Sequence, residues 1–166
     1  MKAARATAGR EEIRSRQRAR RLALASIFEA DFGQRTAADV LERHLAEAGR
    51  DPEAARFARL LVSATVDDRD RIDARIEALA AQYPVVQLAR IDRALLRTAV
   101  GEVLHSAATP TRVAIAEWVE LARIYSGDPA RRLMNGVLWR LVRDAAASTG
   151  EKVDGSANEE AGLPAG

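Results

Sequence analysis

Residues 14–21 read RSRQRARR, and Arg14, Arg16, Arg18, Arg20 and Arg21 are the densest chemistry in the chain. Guanidinium groups stay charged, fork onto phosphate oxygens and stack on unpaired bases, so such a cluster is a candidate polyanion site. Arginine at the start of a helix also opposes the helix dipole, by roughly 0.3–1 kcal/mol per charge at low salt. An anion bridging the arginines and the free backbone N–H groups reverses that penalty. Other reactive residues form weaker patterns. His44 and His105 are the only histidines, and with no cysteine in the chain they make a poor metal pair. The acidic stretch VDDRDRID (66–73) alternates with Arg69 and Arg71, which reads as an ion-paired solvent face. Ser15, Ser26, Ser63, Ser106 and Ser126 have no base in a recognisable motif. Glu117 and Glu120 share a helix face and pair naturally with Arg123. No catalytic centre, metal or cofactor is expected.

The formal net charge of +2 conceals a polarised layout. Residues 1–21 hold eight basic and two acidic groups, whereas residues 22–148 hold 17 and 18. The segment after residue 148 holds one basic and four acidic groups. A neutral body with one strongly basic end points to a polyanionic partner there. At 166 residues the chain can bury a real core, as one domain or two intimate subdomains. Alanine and aliphatics dominate and aromatics are scarce, which favours helices over strands. No apolar run approaches the ~18 residues that span a bilayer, and no signal peptide is evident, so a soluble cytoplasmic protein is expected.

The elements that must carry the arginines follow from spacing. A first helix starts between Arg14 and Arg18 and runs to about Phe32, with Gly33 as its stop. Its inner row of Ala23, Ile27 and Ala30 extends backwards to Arg20 and Arg16, a change of character that packing alone gives no reason for. A second helix covers about 37–48. Asp51 caps a long third helix from Pro52 to about Gln82, broken by Tyr83-Pro84. Further helices cover about 85–107, from Thr109-Pro110 to Gly127, and from Asp128-Pro129 to about Ser148. Asn135-Gly136 falls inside the last one, where glycine costs about 1 kcal/mol relative to alanine; close approach of a neighbouring helix is the expected reason. Trp118 and Trp139 are expected to fill core or subdomain contacts. The expected layout is a flexible basic extension over 1–13, a helical domain over 14–148, and a disordered acidic tail over 149–166.

Four segments in register carry a resemblance: RQRARRLALASIF (16–28), LLRTAVGEVL (95–104), PTRVAIAEWVELARIY (110–125) and RRLMNGVL (131–138). They resemble the NusB family of bacterial transcription antitermination factors, with its Arg-rich start, LR-x-A-x-x-E-L, P-x-x-V-x-I-N-E-x-V-E-L-A-K and N-G-V-L-D runs. The resemblance implies an all-α fold, a compact bundle of about seven helices in two subdomains. It also implies binding of single-stranded boxA RNA from ribosomal RNA leaders, together with the ribosomal protein NusE. The RNA polymerase antitermination complex with other Nus factors would then be the wider partner. Some members self-associate as a homodimer. By the same resemblance, Arg16, Arg18, Arg20, Phe28, Arg131 and Arg132 bind RNA, and Arg97 and Glu102 dock the ribosomal protein; Arg14 and Arg21 join the RNA-binding set as members of the same basic cluster. The chain departs from the family at Ala25, Gly101, Ala116, Leu133-Met134 and Trp139, where glutamine, tyrosine, asparagine, Phe-Val and aspartate are usual. Two other readings stay open: an RNA-targeting module like the N-terminal domain of ribosomal RNA cytosine methyltransferases, and a helical adaptor that binds no RNA.

Overall fold

The computed structural model describes residues 1–150. Among them run seven α-helices: α1 (Lys2–Ala30), α2 (Ala37–Ala48), α3 (Pro52–Asp67), α4 (Arg69–Leu79), α5 (Arg90–His105), α6 (Thr111–Tyr125) and α7 (Asp128–Thr149). A single 3-10 turn, Val85–Gln87, precedes α5. The all-α expectation holds, and the helices fall into two groups. α1 lies on α2, α3 and α5, while α6 and α7 pack together and on α5, with α4 closing against α5 and α7. α5 is therefore the shared wall, and Ala94 to Glu102 are buried without interruption. A helix covered on all sides loses the usual polar stripe, which is why two charged residues lie inside it.

Local chemistry sets the starts. The Asp39 N–H donates to Thr36 Oγ1 at 3.1 Å at the head of α2. The Ala54 N–H donates to Asp51 Oδ1 at 3.0 Å at the head of α3, with Pro52 in the first turn. Ser15 on α1 also donates to Asp51, so one carboxylate both caps α3 and fastens it to α1. Gly127 takes φ 106°, a left-handed turn between α6 and α7 that favours glycine.

Four sequence expectations change. The first helix begins at Lys2, not between Arg14 and Arg18, because residues 2–13 are mostly good helix formers and Arg16 pairs back to Glu12 at 2.9 Å. Arg14 to Arg21 thus lie about three turns or more inside the helix, beyond the reach of its terminal dipole. The helix expected over 52–82 is interrupted at Asp68 (φ −116°, ψ 21°), so α4 turns away to meet α5 and α7. The helix expected from Val85 starts at Arg90, after the 3-10 turn and an extended Ala89. Finally, α7 runs unbroken through Asn135-Gly136, but a Cβ at Gly136 would meet nothing within 4 Å. The close helix approach is instead at Gly101, where a Cβ would stand 3.0 Å from Thr65 Oγ1. The acidic tail lies, from residue 151 on, outside the described residues.

Candidate nucleic-acid interface

The helical period divides the arginine cluster in two. Positions 10, 14, 18 and 21 follow at i, i+4, i+8 and i+11, an arc of roughly 80° at 100° per residue. Arg10, Arg14, Arg18 and Arg21 are all exposed. No hydrogen bond or ion pair among the described residues engages Arg10, Arg14 or Arg21, and Arg18 faces Asp51 only at 3.6 Å. Phe28, about five turns beyond Arg10, falls on the same line and is half-buried. The half-buried Ala25 lies between Arg21 and Phe28 and leaves that stretch of surface low. Sequence reasoning missed Arg10, although its i, i+4 step to Arg14 was the available signal.

Arg16 and Arg20 point the other way, against α3, α5 and the start of α6. Arg20 is 2% exposed. Its Nε and Nη2 donate to Glu102 Oε2 and Oε1 at 3.0 and 2.7 Å, and Glu117 lies 4.0 Å from Nη1. The guanidinium also rests on the Phe57 ring, 5.4 Å from its centroid. Trp118 Nε1 donates to the same Glu102 Oε2 at 2.6 Å, so a full set of donors compensates the buried carboxylate. Arg16 donates to the Ala108 carbonyl at 2.7 Å and sits 5.3 Å from the Phe57 centroid, bracing α1 against the turn before α6. Packing thus supplies the reason that the sequence withheld for arginine in the core-facing row. Arg20 is corrected from a phosphate contact to a buried structural cation, and Arg16 from an open cation to a largely engaged one.

The two residues assigned to partner docking are also internal. Glu102 is 1% exposed and held by Arg20 and Trp118. Arg97, 6% exposed, donates to both carboxylate oxygens of Asp73 at 2.7 Å and faces Asp31 at 3.7 Å. Both hold α5 to its neighbours and present no free surface. Arg131 and Arg132 lie in the first turns of α7 and donate to Asp128. These two guanidinium groups hold the Asp128 carboxyl down to about 2. They stand on α7, which packs mainly on α4, α5 and α6, whereas α1 packs mainly on α2, α3 and α5.

At the C-terminal end of α1, Phe32 is 52% exposed. The Arg90 guanidinium lies over its ring at 4.3 Å from the centroid, and Phe28 meets it edge-on at 5.4 Å. The remaining candidates resolve into structural contacts. Trp118 is a core filler, and Arg112 lies over the half-buried Trp139. Glu120 pairs with Arg123 at the surface, but Glu117 turns to Gln17, which donates to it at 3.1 Å. His44 faces Glu29 and His105 faces Asp68, on separate helices.

Residues 17–143 match the NusB family. A transcription antitermination protein NusB of Dehalococcoides mccartyi is 41% identical over 124 residues, covering 75% of this chain and 87% of the relative. A Thermotoga maritima NusB structure superposes with a TM-score of 0.71 at 25% identity, covering 78% of this chain and 91% of that one. A crystal structure of the antitermination factors NusB and NusE in complex with double-stranded RNA gives a TM-score of 0.71 at 23% identity, covering 79% of this chain and 98% of that one. With the family matched over most of its length, and a relative at this identity, the chain belongs to the NusB family.

Proposed function

We propose that the chain is a transcription antitermination factor that binds boxA-type RNA of ribosomal RNA leaders together with NusE, keeping RNA polymerase from terminating early. The observation that carries this reading is the exposed line of Arg10, Arg14, Arg18 and Arg21 leading to Phe28 on α1, in a chain of this family. Such a line meets a phosphate backbone without rearrangement, because most of its charges have no competing carboxylate. Arg132, exposed on α7, is a secondary phosphate contact that would exchange Asp128 for the RNA. The role is recognition rather than catalysis, and the site of action is the cytoplasm, where transcripts emerge. No helix among the described residues is long and apolar enough to cross a membrane. The shared name of the relatives favours this reading over a methyltransferase targeting module or an RNA-free adaptor.

Salt dependence tests it. Changing Arg10, Arg14, Arg18 and Arg21 to glutamine removes charge while keeping helix-forming side chains. For single-stranded RNA the slope of log K against log salt should flatten by about 0.7 for each phosphate that is no longer neutralised, up to roughly 3 in all. Thermal stability should stay close to that of the parent, since none of the four makes a buried contact. An unaltered slope with intact helicity would reject the assignment.

A further inference from the structure

We propose that Phe32 and Arg90 form a stacking shelf for one unpaired base of a single-stranded RNA whose phosphates follow the outer face of α1. This inference rests on the RNA-binding reading above and adds to it a place for a base. A large aromatic that is half exposed just past a helix end contributes little to a core. Phe32 is nevertheless held in a defined pose, with Arg90 over its ring and Phe28 against its edge. Arg93 takes the Asp31 carboxylate, so among the described residues Arg90 has only the Asp31 carbonyl at 3.5 Å as a hydrogen-bond partner. Its charge therefore stays available beside the ring. Arg93 also reaches the carbonyl of Val86, which is 76% exposed on the turn before α5, at 3.5 Å.

The shelf continues the arginine line. Phe28 stands on the line of Arg10, Arg14, Arg18 and Arg21, and Phe28 touches Phe32. Moving along α1, a strand would meet cations first and then an aromatic platform flanked by one more cation. That order suits a single strand, whose phosphates need neutralising and whose bases are free to stack on aromatic rings or guanidinium planes. A duplex keeps its bases stacked on each other and has none to offer.

The test uses the full chain and a short single-stranded RNA carrying a fluorescent adenine analogue, with the matching duplex as control. Phe32→Ala should weaken single-strand binding by about 5- to 150-fold, the usual effect of removing one stacked base. It should leave the salt slope unchanged, because every phosphate keeps its cation. Phe32→Trp should restore binding and analogue quenching, Arg90→Gln should weaken both, and the duplex should not distinguish Phe32→Ala from the parent. Circular dichroism and melting of each variant establish that the exposed substitutions leave the fold intact. Parent-like affinity of Phe32→Ala for the single strand would overturn the shelf while leaving the α1 assignment standing. So would equal losses for strand and duplex, or a loss confined to association with NusE, which would make the patch a protein contact. No RNA binding by the parent chain would overturn both.

Discussion

Arg20 and Arg21 are neighbours in sequence with opposite roles, and the difference is one 100° step around α1. That step puts Arg20 on Phe57 and Glu102 and leaves Arg21 in solvent. The inward row of Ala23, Ile27, Arg20 and Arg16 was readable from spacing alone. Its meaning was not, because the compensating acid lies 82 positions away on another helix. Without that partner in view, an arginine in a core-facing row looks like a binding residue; with it, the same residue is a strut. Breaking a buried pair by removing one member costs about 3–5 kcal/mol, since the other charge stays desolvated. Arg20→Ala should therefore lower the melting temperature by roughly 10 °C for a domain of this size. Arg21→Ala should leave it nearly unchanged and act on RNA affinity instead. Thermal denaturation of the two variants side by side checks this, and equal small shifts would mean that Arg20 is not the strut described.

Glycines at two helical positions show what periodicity can and cannot reveal about elements. Asn135-Gly136 attracts attention in the sequence because the pair is a strong turn signal, yet α7 passes through it with open space at the glycine. Gly101 stands out only as a departure from the family's usual tyrosine, yet it is where α5 approaches α3 tightly, against Thr65. Thr65 is pinned there by donating its hydroxyl to the Leu61 carbonyl at 2.7 Å, so it has little freedom to retreat. Which helices approach each other is a property of the packed bundle and leaves no mark in the pattern of one strip of sequence. For the same reason the break at Asp68 was hidden: the apolar stripe of Phe57, Leu61, Ile72 and Ile76 is fully buried on both sides of it. The cap at Asp51, being local, was legible, whereas the equally local cap at Thr36 was passed over. Gly136→Ala should stabilise the protein by up to about 1 kcal/mol through helix propensity. Gly101→Ala should destabilise it by about 1–3 kcal/mol, the usual cost of forcing extra volume into a packed contact. Urea denaturation of both variants separates the two cases, and a stabilised Gly101→Ala would show that α3 and α5 can part more easily than their geometry implies.

At the scale of the whole molecule, α5 joins two helical groups, and its charges are used for that joining. Arg97 and Glu102 are consumed inside the bundle, so a protein partner must be met through other surface. In the proposed reading the RNA contacts are a cation line and one aromatic shelf on the α1 side, with Arg132 on α7 as a secondary contact. Phosphate contacts supply affinity without sequence information, and a single stacked base is tolerant of its identity. The isolated chain should therefore bind boxA-like and scrambled single strands weakly and almost equally. Discrimination then has to come from a composite surface completed by NusE, whose presence should raise affinity for boxA-like RNA selectively. Linkage makes that gain reciprocal: RNA must tighten the association of the two proteins by the same factor by which NusE tightens RNA binding, typically about 5- to 150-fold. Titration calorimetry of the protein pair with boxA-like RNA, with scrambled RNA and with none measures both sides of the cycle. Equal factors on the two sides, present for boxA-like RNA and absent for scrambled, are the expected outcome. If the isolated chain already separates the two RNAs as well as the pair does, base recognition resides in this chain alone and the composite surface is not needed.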